Sequence, residues 1–143
     1  MSTEKETSIT EEYFRQRSQQ LGWKFTNQRY SIYRCMVGNK NHPTADEVKK
    51  MLEKEYPNIS RDSVFRILND FVSVGLIGKL EFSSPIRFDG NSSCHGHCQC
   101  RQCKSIIDFS TQVKESVLSN LAIAQIDAVE TVAHGICKSC KEQ

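Results

Sequence analysis

The chain has 143 residues, 38% of them hydrophobic, with 19 Lys and Arg against 17 Asp and Glu for a formal net charge of +2. That length fits one domain or two small ones. It holds no apolar run near the roughly 18 residues of a membrane helix and no hydrophobic leader, so a membrane role is not expected and a cytoplasmic, reducing setting is. Seven cysteines, an odd number, fit poorly with a fully paired secreted scaffold.

Charge is distributed unevenly. Residues 24–79 carry ten Lys/Arg and six Asp/Glu, a local +4, whereas residues 80–143 carry six and seven, a local −1. A basic first half beside a cysteine-rich, slightly acidic second half points to separate jobs.

Residues 1–9 are polar and expected to fray. A helical pattern opens at Thr10 and runs to about Leu21, with Tyr13, Phe14 and Leu21 as packing residues and Gly22 as its stop. Thr26 is placed to cap a second helix, in which Ile32, Tyr33, Met36 and Val37 recur at helical spacing, and Cys35 there reads as a buried thiol. The run Asn41-His42-Pro43-Thr44 interrupts the helices. Thr44 and Glu47 then have capping-box spacing ahead of Val48, Met51 and Leu52. Ser60 caps the next helix, with Val64, Ile67, Leu68 and Phe71 along one side and Gly75 past its end. Residues 76–82 and 86–88, separated by Ser83-Ser84-Pro85, can pair as a two-stranded wing, which completes a winged-helix pattern.

A helix that reads DNA needs an apolar back and a polar front. Spacing residues 100° apart over 60–74 puts Arg66 near the middle of the polar face, flanked by Asp62, Ser63, Asn69 and Asp70. Arg66 can reach a base edge or a phosphate, and Ser60, Arg61 and Ser63 at the helix start can meet backbone phosphates. Asp62 and Asp70 repel the same backbone. A three-helix domain with a solvated polar face fits the pattern equally well.

The second half is organised by cysteines. Cys100 and Cys103 stand two residues apart, and Cys137 and Cys140 repeat that spacing. Four thiolates delivered as two pairs suit tetrahedral Zn²⁺ in a closed structural site, with a redox dithiol or ordinary buried cysteines as the alternatives. Residues 105–109 read as a strand, Val113, Val117, Leu118 and Leu121 as a helix, and residues 128–133 as a second strand. The exposed edges of so small an α/β unit call for a second copy to cover them. The expected fold class is therefore α+β: a winged helix-turn-helix DNA-binding domain over residues 1–86, a hinge over 87–93, and a zinc-stabilised dimerisation domain over 94–143.

A second constellation is nitrogen- and oxygen-based. His95 and His97 alternate by two, so both point to one side of an extended segment. Imidazole with carboxylate is the donor mixture expected for Fe²⁺ or Mn²⁺, and two His with one carboxylate is the smallest such set. Taken alone, Asp89, Asp108 and His42 read as readily as solvated or turn-stabilising groups, and His134 as a surface imidazole. Cys94 and Cys98 beside the histidines are soft ligands, packing residues or free thiols.

The ordered set Gly22-Trp-Lys-Phe-Thr-Asn-Gln-Arg29, His42-Pro-Thr-Ala-Asp-Glu-Val48, Tyr56-Pro-Asn-Ile-Ser60, Arg87-Phe-Asp89, His95-Gly-His97, Cys100-Arg-Gln-Cys103 and Ile136-Cys-Lys-Ser-Cys140 resembles the ferric uptake regulator family, over about residues 12–140. The resemblance implies a homodimeric winged-helix repressor whose four-cysteine zinc site holds the dimerisation domain. It also implies a second metal, held by His42, Asp89, His95, His97 and Asp108, that sets affinity for a pseudo-palindromic operator.

Two aspartates, where the iron-uptake branch usually has glutamate at the position of Asp108 and often at that of Asp89, make the chain most like the peroxide-sensing branch. There, Fe²⁺ and peroxide oxidise a ligating histidine, here His42 or His95. An iron-responsive repressor of uptake genes without self-oxidation is the alternative within the family. A small non-haem metalloenzyme is the rival of another class. With no separate acid/base pair or substrate motif, enzyme turnover is not expected. The sequence departs from the family at Asp62-Ser-Val-Phe-Arg66, where Phe65 replaces a tyrosine used in DNA contact. It departs again over residues 129–134, which lack the usual aromatic-rich strand.

Overall fold

A computed structural model describes residues 2–91, 95–127 and 129–143, with side chains from residue 10 onward. Cys94 and Ala128, named above, lie outside the described residues. The chain divides into two compact units, Met1–Ser92 and Ser93–Gln143.

The first unit contains four helices and a wing: α1 (Ser2–Gln20), α2 (Asn27–Met36), α3 (Ala45–Met51), α4 (Arg61–Ser73), β1 (Gly78–Leu80) and β2 (Arg87–Asp89). Helix α1 starts at Ser2, ahead of the Thr10 at which the pattern is expected to open, and takes in residues expected to fray. Glu and Lys are good helix formers, and pairs such as Glu11 with Arg15, at 2.8 Å, add i,i+4 support to a run without an apolar stripe. The other helix starts follow the side-chain chemistry. Thr26 accepts from the Arg29 N–H, Thr44 and Glu47 form a complete capping box, and Ser60 accepts from the Ser63 N–H. Gly75, at φ +75°, supplies the left-handed residue that ends α4.

Phe14 is the centre of this unit's core. Its ring lies 4.9 Å from Tyr33, 5.9 Å from Phe25 and 5.8 Å from Phe71, and it is wholly buried. Tyr13, the neighbour also expected to pack, is 48% exposed, because helix periodicity lets only one of two adjacent residues face inward. Val48, Leu52, Val64, Leu68 and Phe71 belong to the same cluster, which fastens α3 to α4. The wing pairs antiparallel, Lys79 opposite Phe88. An isolated bridge joins Thr44 to Arg87.

The second unit contains β3 (Gly96–Cys100), β4 (Ile106–Phe109), α5 (Glu115–Ser119), β5 (Thr131–Gly135) and α6 (Lys138–Lys141). Its sheet has three strands in the order β4-β3-β5, antiparallel on one side of β3 and parallel on the other. The central strand has no apolar alternation in sequence, being Gly-His-Cys-Gln-Cys, which is why only two strands are expected from pattern alone. A Cβ at Gly96 would stand 2.4 Å from the Phe109 ring, so a larger residue there requires that ring to move. Helix α5 is shorter than its apolar pattern, and Val113, Val117 and Leu121 are exposed.

Among the described residues, no helix is long and apolar enough to cross a membrane. Substituting Phe14→Ala should destabilise the first unit by about 3–5 kcal/mol. The measurement is urea unfolding followed through Trp23, the single tryptophan, which packs 6.1 Å from Phe71.

Candidate metal centres and nucleic-acid interface

The four sulfurs of Cys100, Cys103, Cys137 and Cys140 all lie within 4.8 Å of one another. Cys100 ends β3. The turn that follows returns the Lys104 N–H to the Cys100 carbonyl at 3.0 Å, with Lys104 at φ 65°, and so brings Cys103 back beside Cys100. Parallel pairing of β3 with β5 and an Arg101 N–H to Gly135 carbonyl bond of 2.7 Å deliver the second pair at the start of α6. Cys103 and Cys137 are 3.8 Å apart. Sulfurs bound about 2.3 Å from Zn²⁺ at tetrahedral angles are separated by about 3.8 Å.

Without a cation the cluster holds its protons unevenly. The Cys137 N–H donates to Cys100 Sγ at 3.3 Å and, with the neighbouring backbone donors, holds the Cys100 thiol down to about 6. A hydrogen bond with Ser105 lowers Cys103, whereas proton sharing with Cys137 pushes Cys140 up to about 12. Four thiolates this close repel one another, and a divalent cation is the natural counter-charge.

The nitrogen and oxygen donors occupy both units. In the first, His42 and Asp89 are 2% and 3% exposed, with His42 Nε2 3.9 Å from Asp89 Oδ2. That separation is long for a hydrogen bond and suits two donors to one ion, since ligands about 2.1 Å from a metal stand roughly 3–4 Å apart. Backbone geometry brings the two together. The Phe88 N–H donates to the Pro43 carbonyl at 2.9 Å, and an Arg87 guanidinium N–H donates to the His42 carbonyl at 3.0 Å. His42 itself has φ 50°, uncommon for a residue with a Cβ.

In the second unit, His97 and Asp108 are register partners across β3 and β4. Asp108 Oδ1 lies 3.5 Å from His97 Nε2 and 3.8 Å from His95 Nε2, and the two imidazole centroids are 4.4 Å apart. His134 is exposed on β5 and Cys98 half-buried on β3.

Helix α4 presents the predicted polar face. Arg66 is exposed at its middle. Ser60 donates to the Ser63 hydroxyl at 2.9 Å while capping the helix, and Arg61 pairs with Asp46 at 3.0 Å. Phe65 is half-buried, its ring 5.9 Å from Phe88, with the Arg61 and Lys79 cations at 5.8 and 5.7 Å.

Two residues that sequence reasoning missed bear on this face. Arg29 pairs with Asp70 at 3.1 Å and offsets its repulsion of phosphate, and Lys79 is held by Asn69 Oδ1 at 3.0 Å. Neither gives a signal in sequence, because the partners stand 41 and 10 positions away.

A winged helix followed by a small sheet with a four-cysteine cluster has known counterparts. The Ferric uptake regulator family profile matches residues 20–136. The chain belongs to the ferric uptake regulator family. Its members are DNA-binding transcriptional regulators rather than enzymes. Among relatives in the ferric uptake regulator family, the peroxide-responsive repressor PerR of Staphylococcus aureus (strain USA300) is 35% identical over 130 residues, 87% of this chain and 86% of its own.

The Helicobacter pylori ferric uptake regulator Fur, a protein with three functional metal-binding sites, shares the fold at a TM-score of 0.75 and 23% identity, over 96% of this chain and 95% of its own. PerR from Streptococcus pyogenes superimposes with a TM-score of 0.51 and 25% identity, over 90% of each chain.

Zinc content and the second unit's structure should fall together. Chelation under reducing conditions, or Cys140→Ser, is expected to remove bound zinc and erase the β3–β5 signals in amide hydrogen exchange, while Trp23 fluorescence stays native.

Proposed function

We propose that the chain is a metal-dependent repressor that senses peroxide, with Cys100, Cys103, Cys137 and Cys140 holding structural Zn²⁺ and His42, Asp89, His95, His97 and Asp108 serving one regulatory Fe²⁺ or Mn²⁺. The observation that carries this is the division of the donors. A buried His42–Asp89 pair belongs to the unit that contains α4, and His95, His97 and Asp108 converge in the other. One ion drawing on both sets would couple metal binding to the spacing of two α4 helices in a homodimer on a pseudo-palindromic operator. Such coupling is reciprocal, so operator DNA tightens metal binding by the same factor.

Fe²⁺ bound there would supply electrons to hydrogen peroxide beside the imidazoles, while Mn²⁺ would hold the same donors without that chemistry. By resemblance to the peroxide-sensing branch, His42 or His95 is the imidazole that would take up one oxygen. Its oxidation would weaken metal binding in a stoichiometric event without turnover. The short aspartates at 89 and 108 and the 35% identity to a peroxide-responsive repressor favour this reading over an iron-responsive one. In the cytoplasm, both metals and reduced thiols are available to such a sensor.

The test begins by enriching operator duplexes from a random library with the Mn²⁺-loaded protein. Peroxide should abolish binding by the Fe²⁺ form and add one oxygen to a peptide containing His42 or His95, while the Mn²⁺ form keeps its affinity. Unchanged operator binding by the peroxide-treated Fe²⁺ form selects the iron-responsive alternative. Separately, Arg66→Ala should weaken operator binding by about 1–3 kcal/mol and relax sequence preference at one position per half-site, read by titration against single-base variants.

A further inference from the structure

We propose that Arg87 is a positioning residue for the regulatory metal, holding His42 in its ligand conformation and joining that loop to the start of α3. The inference rests on the metal reading above and adds a residue to it that touches no metal.

His42 has two conformational disadvantages. Its φ of 50° is left-handed, and it precedes Pro43, which pushes the preceding residue toward extended backbone. Something must therefore hold the loop, and β2 supplies three of the contacts that do. The Phe88 N–H bonds the Pro43 carbonyl at 2.9 Å, and a bridge pairs Thr44 with Arg87. The Arg87 guanidinium donates to the His42 carbonyl itself at 3.0 Å. The guanidinium contact is made to His42 itself, the residue with the unfavourable torsion, and by a side chain that substitution can remove.

The same guanidinium nitrogen lies 3.8 Å from Glu47 Oε2, which accepts the Thr44 N–H at 3.2 Å in the capping box of α3. His42, Arg87, Glu47 and Thr44 thus close a ring from the loop to the first turn of the helix packed on α4. The Arg87–Glu47 pair is weak on its own, since Glu47 is half-exposed. A planar guanidinium facing a carbonyl and a carboxylate together is the arrangement that a flexible ammonium reproduces only in part. Arg87 is itself oriented, its own N–H bonded to Ser83 Oγ at 2.9 Å, with Ser83 buried and donating to the Leu80 carbonyl. The grip is built into the wing.

Groups that orient a ligand from outside the coordination sphere typically change metal affinity by about 10- to 100-fold. The experiment measures free Mn²⁺ by electron paramagnetic resonance during titration of the zinc-loaded full chain, for wild type, Arg87→Gln, Arg87→Lys, His42→Ala and Asp89→Asn. Arg87→Gln should weaken Mn²⁺ binding by roughly 10- to 100-fold. Zinc content and Trp23-monitored unfolding should stay as in wild type, with partial recovery in Arg87→Lys. The Mn²⁺ concentration that half-saturates operator binding should shift by the same factor, with operator affinity at saturating Mn²⁺ unchanged.

Mn²⁺ affinity equal to wild type in Arg87→Gln, with His42→Ala weakened, overturns the role of Arg87 alone. A lower operator affinity at saturating Mn²⁺ also overturns it and makes Arg87 a DNA contact or a general support of the fold. Wild-type Mn²⁺ affinity in His42→Ala and Asp89→Asn removes the metal reading, and the proposal with it.

Discussion

The loop at residues 41–44 is fastened to strand β2 through the Phe88 N–H, the Arg87 guanidinium and the Thr44–Arg87 bridge, and much of the first unit's functional order depends on that junction. It places two donors, His42 and Asp89, on adjacent backbones. It also sets where α3 begins, because Thr44 is at once a bridge partner of Arg87 and the helix cap. Helix α3 shares a core with α4 through Val48, Leu52, Val64 and Leu68. Donor pair and α4 therefore belong to one packed unit, so a metal held by the pair can act on DNA binding without touching DNA.

The second unit is stabilised on different terms. Among the described residues its hydrophobic side chains are largely outside, with Ile107, Val117 and Ile123 each more than half exposed, while Cys100 is buried. A sheet of three short strands cannot offset its ordering entropy by burial of this kind. A metal bound by four thiolates contributes folding free energy directly, and a second chain would cover apolar surface that this one leaves exposed. Members of the ferric uptake regulator family dimerise, which agrees with a unit that is incomplete as a single copy.

On the polar side of α4, Phe65 stands where the family resemblance implies a tyrosine. Arg61 and Lys79 flank it, and Phe88 packs against it. An apolar ring bordered by cations has no phenol hydroxyl to donate, so the cations carry the polar character at this point of the face. Asp70, a liability on the polar face, is partnered by Arg29. The face is more cationic in space than its linear sequence implies.

Local rules determined much of this protein. Thr26, Thr44, Ser60 and Gly75 mark helix ends through bonds and torsions confined to a few residues, and the twin Cys-x-x-Cys spacings announce a tetrahedral thiolate site before any strand is placed. His97 and Asp108 were legible as metal-capable side chains, but their pairing was not. It depends on the register of β3 against β4, and β3 has no apolar alternation to reveal it. Likewise Tyr13 and Phe14 are both plausible core residues until packing selects one. The grip of Arg87 on His42 spans 45 positions. Caps, turns and cysteine spacings involve atoms a few bonds apart and so are written in the chain itself, whereas donor pairs and their supports depend on which distant backbones lie side by side, and only the folded chain decides that.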